Sequence, residues 1–327
     1  GGDTNEVTYK IAMITDYGDI TDQSFNQTTY EACKAFATAN GVEFNYFKPA
    51  GDNTAERVAM IESAVDQGYN VIVMPGYAFG GAIVEAAPQF PDVKFIALDV
   101  GKGDLLEAGV AAKGESYDYN PDNWNLADYV DMSNVYCAIY QEELCGYMAG
   151  YAAVKLGYKN LGFLGGMAVP AVQRYGYGFV QGADAAAADM GLTDVKVNYV
   201  YGGKFSGDAD ITAVMDTWYA GGTQVVFACG GGIYTSAVDA AKKVEGAKVI
   251  GVDVDQAGVI ANYAAGEGAD AATVESYKAL TVTSAMKGLY PATYDTLTDV
   301  IVNGNWANYV GKIENLGLVS GDDPTLN

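Results

Sequence analysis

The chain has 327 residues, half of them hydrophobic, and a length that fits two domains better than one. Its 18 Lys and Arg residues stand against 41 Asp and Glu residues, a formal net charge of −23 that argues against a nucleic-acid partner, because phosphate binding needs a basic face. The sequence contains no histidine, which excludes Ser-His-Asp and Cys-His hydrolysis and His-bound zinc. No apolar run reaches the roughly 18 residues that a membrane span requires, so none is predicted.

The first part of the chain alternates strand and helix patterns. Short apolar or alternating runs predict strands at 7–15, 42–46, 70–75 and 93–99. A polar loop at 16–22 precedes a helix that stops near Gly41, and a second helix begins at Asn53 or Thr54 and ends at Gly68. Residues 80–89 fit a further short helix before the fourth strand.

The same pattern begins again after a polar, aromatic stretch. Strands are predicted at 134–140, 160–166, 195–201, 224–230 and 248–253, with a helix at 141–157 and helical patterns between the others. A late strand at 279–284 and a helix at 290–303 follow. Strands separated by helices predict right-handed crossovers and parallel sheets, so the fold class is α/β with two doubly wound lobes.

The lobe boundaries follow from where the pattern restarts. We expect one lobe at 7–133 plus about 256–285 and the other at 134–255 plus about 286–327. Several crossing segments would then form the hinge, and the ligand cleft would lie between the lobes. The four cysteines stand among apolar residues and include no C-x-x-C pair, so we expect buried thiols.

Polar residues and glycine-rich turns follow many of the predicted strands. In open parallel sheets ligands bind beyond the carboxyl ends of the strands, which makes these positions candidates for a binding site. Each also has a plain structural explanation: a carboxylate caps the next helix, a glycine run makes a tight turn, and a lysine is a solvated helix residue. The strand-end candidates are Asp16, Asp99, Gly165-Gly166, the Gly230 turn, Asp253 and Lys287.

Five segments resemble one known family, and they occur in the order found there. They are TDYGDITDQSFN (15–26), NLGFLGGMAVPAVQRYGYGFVQGAD (160–184), YGGKFSGD (201–208), IGVDVDQ (250–256) and TSAMKGL (283–289). They are similar to the BMP family of ABC-transporter substrate-binding lipoproteins, also called PnrA-like, from about residue 8 to about residue 303. The resemblance implies a type I periplasmic-binding-protein fold. The stretches 101–131 and 262–278 do not match the family pattern.

The resemblance also implies a set of ligand-binding residues. Phe25 and Phe205 would stack on a nucleoside base, Asn26 would bind the base edge, and the Gly230 turn would offer backbone contacts. The polar parts of base and ribose would meet Asp16, Asp99, Asp253 and Lys287. Each residue keeps its structural alternative here, since the two phenylalanines also suit an ordinary core and Asn26 a helix cap.

The function implied is an extracytoplasmic solute-binding protein that delivers a nucleoside, with purine the expected base, to an ABC permease without chemical change. We expect a monomer that needs no cofactor and no metal, anchored through a lipid-bearing cysteine outside these 327 residues. A receptor for a sugar or a flavin-type vitamin is the alternative ligand class, and a nucleoside-cleaving enzyme is the alternative activity. A DNA-binding repressor is disfavoured by the net charge of −23.

Overall fold

The computed structural model describes residues 7–318, which fold into two α/β units. Unit 1 contains the chain up to Thr21, Phe25–Tyr140 and the part from Leu289 onward. Unit 2 contains Asp22–Ser24 and Gln141–Gly288. The chain therefore changes units after Thr21, Ser24, Tyr140 and Gly288.

Unit 1 is built on a six-stranded parallel sheet. Its strands are β1 (Lys10–Ile14), β2 (Glu43–Phe47), β3 (Val71–Pro75), β4 (Lys94–Leu98), β5 (Val135–Tyr140) and β11 (Ile313–Leu316). They lie in the order β2-β1-β3-β4-β5-β11, and every pair is parallel. The helices are α1 (Phe25–Asn40), α2 (Thr54–Asp66), α3 (Gly80–Ala86), α4 (Lys102–Ala112) and α11 (Leu289–Leu297).

Unit 2 repeats this plan with five strands. They are β6 (Asn160–Gly165), β7 (Lys196–Tyr201), β8 (Val225–Cys229), β9 (Lys248–Asp253) and β10 (Thr281–Met286), in the order β7-β6-β8-β9-β10. Its helices are α5 (Glu142–Lys155), α6 (Pro170–Met190), α7 (Ala209–Ala220), α8 (Tyr234–Ala241), α9 (Ala257–Ala265) and α10 (Ala271–Tyr277).

Both faces of each sheet are buried, which explains the continuous apolar runs in the sequence. In unit 1, Ile14 and Met74 belong to one core and Ile11 and Val73 to a second core. Alternate residues of the unit 2 strands separate in the same way into two cores. The predicted architecture of two doubly wound parallel sheets is therefore confirmed.

The two sheets share their topology and one unusual backbone feature. In each sheet the first strand lies between the second and the third, so the strand order reverses between β1 and β3 and between β6 and β8. The fourth strand of the first sheet, KFIAL, is followed by Asp99 with φ 65°, and the fourth strand of the second sheet, KVIGVD, ends in Asp253 with φ 66°. Left-handed backbone is uncommon in residues other than glycine, and such strain concentrates at functional sites.

Helices α5 and α6 pack with their backbones in direct contact. A Cβ atom added to Gly146 or Gly150 would meet a carbonyl of α6, and one added to Gly178 or Gly182 would meet a carbonyl of α5, each closer than 3.0 Å. The side of α5 that carries small residues is thus its buried side, with Gly146, Ala149, Gly150 and Ala153. Only glycine permits this approach, which fixes how α5 and α6 cross.

The observed boundaries differ from the predicted lobes. Strand β5 was expected in the second lobe, but it pairs with β4 in the first sheet because α4 makes β4 and β5 one crossover unit. The segment 256–285 was expected in the first lobe, but β10 pairs with β9 in the second sheet. From Leu289 the chain belongs to unit 1, where β11 pairs with β5. The predicted range 319–327 lies outside the described residues.

Candidate functional site

In unit 2 the predicted residues follow the sheet in spatial order. The loop after β7 carries Phe205, and β6, β8, β9 and β10 are followed or ended by Gly166, Gly230, Asp253 and Lys287. All five positions lie at the carboxyl edge of one parallel sheet, which includes the point where the strand order reverses. This is the edge at which open α/β sheets bind ligands.

The glycines of this edge make room for the ring of Phe205. A Cβ atom on Gly166 would lie 2.5 Å from Cδ1 of Phe205, and one on Gly230 would lie 3.0 Å from the same atom. The amide of Gly232 donates to the Phe205 carbonyl at 2.9 Å. The half-buried aromatic ring therefore lies against bare backbone, and the glycine-rich turn has a structural role in holding it.

Asp253 is 9% exposed and accepts hydrogen bonds from two hydroxyl groups. Ser24 Oγ donates to Oδ2 at 2.8 Å, and Tyr175 OH donates to Oδ1 at 3.1 Å. A carboxylate has about four acceptor sites, so these two bonds orient the group without using all of its capacity. Burial, followed by the charge of Asp253, raises the pKa of Tyr175, so its hydroxyl stays protonated and can donate.

Lys287 lies beside Asp253, but its closer described carboxylate is Glu142. Its Nζ atom is 3.0 Å from Glu142 Oε1 and 3.9 Å from Asp253 Oδ1. Arg174 Nε donates to the other oxygen of Glu142 at 2.6 Å. Glu142 is fully buried, and only 3% of the Lys287 side chain is exposed. Lys287 and Arg174 thus share the carboxylate of Glu142, with Asp253 3.9 Å from Lys287 and Glu143 4.0 Å from Arg174.

In unit 1 the pair Asp16 and Asn26 follows strand β1. Asp16 Oδ1 accepts from the amides of Tyr17 at 2.6 Å and Gly18 at 2.7 Å and from Asn26 Nδ2 at 3.0 Å. Asn26 Oδ1 accepts in turn from the Asp16 amide at 3.3 Å. Asn26, which is predicted to bind a base edge, therefore also orients the Asp16 carboxylate.

Arg57 holds the backbone of the same turn. It is 3% exposed, its Nε donates to the carbonyl of Asp16 at 2.9 Å, and its guanidinium also pairs with Asp52. A Cβ atom on Gly76, which follows β3, would lie 3.5 Å from Asp16 Oδ2. The turns after β1 and β3 therefore meet at the point where the order of this sheet reverses.

The two other predicted residues of unit 1 have different settings. Asp99 follows β4, and its amide donates to the Ala138 carbonyl at 2.7 Å, which fixes the left-handed turn at the sheet edge. Phe25 is the first residue of α1 and is half-buried against core residues that include Tyr140 and Leu289. Phe25 therefore packs in the core, which is the alternative to base stacking named for it in the sequence.

The structure brings the predicted residues together as two sets of four. Unit 1 holds Asp16, Phe25, Asn26 and Asp99, and unit 2 holds Phe205, Gly230, Asp253 and Lys287. Their roles in binding stay predictions.

Sequence reasoning gave no role to four further residues of the unit 2 cluster: Ser24, Glu142, Arg174 and Tyr175. Arg174 carried a usable signal, because the chain has only two arginines, Arg57 and Arg174. Ser24 and Tyr175 lie in the segments 15–26 and 160–184 that resemble the family, whereas Glu142 has no distinctive spacing.

Metal-binding groups, membrane spans and the cysteines complete the description of the candidate functional features. Within residues 7–318, no group of His, Cys, Asp or Glu side chains is arranged to hold a metal ion, and no helix has the length and apolar character of a membrane span. Cys33, Cys137 and Cys229 are buried free thiols, as expected, whereas Cys145 is half-buried. Burial raises the pKa of Cys145 to about 11, so its thiol is protonated at neutral pH.

The sequence matches a family model over most of its length. The model describes the Bmp family, "ABC transporter substrate-binding protein PnrA-like", and matches residues 9–321. One curated relative, named an ABC transporter nucleoside-binding protein BmpA, from Lactococcus lactis, is 28% identical over 76% of this chain and 64% of its own length. A Pyrococcus furiosus protein named an uncharacterized lipoprotein is 25% identical over 98% of this chain and 71% of its own length. The chain thus spans just under two thirds of the Lactococcus relative.

Solved structures resemble the fold. A solute-binding protein of an ABC transporter system from Aeropyrum pernix has a TM-score of 0.71 at 20% identity, covering 98% of this chain and 76% of that chain. A periplasmic sugar-binding protein from Legionella pneumophila has a TM-score of 0.56 at 14% identity, covering 94% and 98%. These similarities show the type I periplasmic-binding-protein fold.

Proposed function

The chain belongs to the Bmp family of PnrA-like ABC-transporter substrate-binding proteins, and from this we propose that it binds a nucleoside, with purine the preferred base. The family consists of solute-binding proteins and not of enzymes, so the ligand is bound and released without chemical change. We propose that the eight predicted residues, four in each unit, bind the ligand. The relative named a nucleoside-binding protein supports this ligand class.

The observation that carries the proposal is the row of residues at the carboxyl edge of the second sheet. It places an aromatic ring, Phe205, on the same edge as an oriented carboxylate, Asp253, and an ammonium group, Lys287. Stacking of a base on an aromatic ring contributes about 1–3 kcal/mol. A charged acceptor forms stronger hydrogen bonds than a neutral one, which suits the hydroxyl and N–H donors of a nucleoside.

The transport role and the cellular location belong to the same proposal. A protein of this family would deliver its ligand to an ABC permease on the outer side of the membrane, as a monomer. The name of the Pyrococcus relative supports a lipid anchor. Neither the permease nor the anchor is part of the described residues.

Isothermal titration calorimetry tests the ligand class directly. Inosine, guanosine, adenosine and uridine are titrated into the purified protein, with ribose and riboflavin as representatives of the alternative ligands. We expect tight binding of at least one purine nucleoside and none of free ribose. A saturating ligand at 100 times its dissociation constant also adds about 2.7 kcal/mol of stability, which thermal unfolding detects. Binding of riboflavin or a sugar alone would overturn the nucleoside proposal.

Asp253→Asn tests the assigned site, because it keeps the shape of the side chain and removes its charge. Hydrogen bonds to charged groups contribute about 1.5–3 kcal/mol, so nucleoside binding should weaken by roughly 10- to 150-fold. Asp255→Asn is the matched control, since Asp255 is exposed and accepts a hydrogen bond only from the nearby Ala257 amide in the described contacts. Equal affinities of the two variants would remove Asp253 from the site.

A further inference from the structure

Glu142 is a buried carboxylate at the start of a helix, and it was not among the residues predicted from the strand ends. It is fully buried at the first residue of α5, and each of its oxygens faces a different cation. Lys287 Nζ lies 3.0 Å from Oε1, and Arg174 Nε lies 2.6 Å from Oε2. A buried carboxylate held from both sides has a fixed orientation, so it can fix the position of the groups around it.

The group most affected by this arrangement is Lys287. Its ammonium lies between two carboxylates, yet it is 3.0 Å from Glu142 and 3.9 Å from Asp253. The second distance is too long for a direct hydrogen bond. Asp253 is instead oriented by the hydroxyls of Ser24 and Tyr175, which are neutral donors. The charge of Lys287 is near Asp253 without occupying the acceptor sites of its carboxylate.

We propose that Glu142 is a positioning residue for the Asp253 site: it holds the ammonium of Lys287 away from Asp253 and so keeps that carboxylate open to the hydroxyl and N–H donors of an uncharged ligand. Without Glu142, the buried ammonium would move to the remaining carboxylate and compete with the ligand for it. Arg174 supports this arrangement by binding the second oxygen of Glu142. The effect on ligand binding rests on the proposed function, whereas the position of Lys287 does not.

The first test is structural and needs no ligand. Crystal structures are determined for Glu142→Gln and for Glu143→Gln, the matched control, whose carboxylate is 4.0 Å from Arg174 and which lies on the same turn of α5. We expect the distance from Lys287 Nζ to Asp253 Oδ1 to contract to about 3 Å in Glu142→Gln. It should remain near 3.9 Å in the control. An unchanged distance in Glu142→Gln would overturn the proposal.

The second test asks whether Glu142 acts through Lys287. Inosine affinity is measured for Glu142→Gln, Lys287→Met and the double variant, with Glu143→Gln as control. We expect Glu142→Gln to weaken binding about tenfold alone and to have no further effect in the Lys287→Met background, because the competing ammonium is gone. Equal losses in both backgrounds would mean that Glu142 does not work through Lys287. A general structural defect would also produce equal losses.

Two further outcomes are distinguishable. If Glu142→Gln does not fold, Glu142→Asp keeps the charge but shortens the side chain. The distance from Lys287 Nζ to Asp253 Oδ1 should then fall below the 3.9 Å of the natural protein, and an unchanged distance would overturn the proposal. If the natural protein binds no nucleoside, the proposed function fails, while the crystallographic comparison still decides the role of Glu142.

Discussion

Gly166→Ala is the sharpest test of how the second sheet holds the ring of Phe205. The added Cβ would lie 2.5 Å from Cδ1 of Phe205, whereas non-bonded carbons sit about 3.5–4.0 Å apart. The ring must therefore retreat by about 1 Å or more. The φ of Gly166 is not positive, so its backbone accepts alanine and the clash is the cause of any effect.

The expected cost follows from overpacking. Inserting one methyl group into a filled site costs about 1–3 kcal/mol of unfolding free energy. In a Phe205→Ala background the ring is absent, so the same substitution should cost much less. The added Cβ also lies 3.1 Å from the Lys204 carbonyl in both backgrounds. The cost of that contact therefore cancels in the double-mutant cycle of positions 166 and 205. The coupling between the two positions should thus be about 1–3 kcal/mol, with the double variant more stable than the sum of the single losses.

Urea unfolding of the four proteins measures this coupling. Gly258→Ala is the control, since nothing lies within 4 Å of its added Cβ on α9 and helical alanine is preferred to glycine by about 0.5–1 kcal/mol. Additive losses at positions 166 and 205 would refute the account of the glycine-rich edge. If Phe205 stacks on the ligand, Gly166→Ala should also weaken nucleoside binding, because the ring is displaced.

Two further outcomes are expected. Gly150→Ala should lower the unfolding free energy by about 1–3 kcal/mol, because the added Cβ meets the backbone carbonyl of Phe179, which cannot rotate away. Thermal unfolding of Gly150→Ala is compared with that of the control Gly258→Ala. Equal stability of these two variants would contradict the prediction. Hydrogen bonds from Asn303, Asn305 and Tyr309 lower the pKa of Asp299 in the folded protein below its ordinary value of 3.8. The ionised Asp299 carboxylate therefore stabilises the folded protein fully above pH 3.8, and this stabilisation is lost as the pH falls through the lowered pKa of the folded state. Acid unfolding of Asp299→Asn should therefore converge with that of the natural protein below about pH 3.8, and a constant difference down to pH 2 would contradict this reasoning.

The sequence predicted ten of the eleven described strands because each of the ten is a short apolar or alternating run, whereas β11, IENL, has neither pattern and was not predicted. The run at 248–253 coincides with β9, and the run at 134–140 differs from β5 by one residue. The prediction that β5 belongs to the second lobe is wrong, because the sequence pattern does not predict α4. Two glycines, Gly103 and Gly109, weaken its helical pattern, so the crossover from β4 to β5 was read as a domain boundary.

The candidate site was predictable only in part, because the contacts that orient its residues form only on folding. Asp253 ends β9, as the apolar run predicts, and Lys287 follows β10, whose predicted end at 284 lies three residues before it. The contacts that orient them depend on folding: Ser24 lies 229 positions from Asp253 in the chain, yet their side chains are 2.8 Å apart. Glu142 opens a helix next to a second glutamate, so nothing local distinguishes the buried residue from its half-buried neighbour Glu143.

The four changes of unit along the chain have a consequence for biosynthesis. Residues 141–288 of unit 2 leave the ribosome in one stretch, but the first sheet waits for β11 at 313–316 before its edge is complete. At about 5–20 residues per second, the roughly 170 residues between β5 and β11 take about 10–35 seconds to synthesise. During that time the apolar strand β5, VYCAIY, has an unpaired edge and is open to pairing with other nascent chains. Truncation before residue 313 would make that vulnerability permanent.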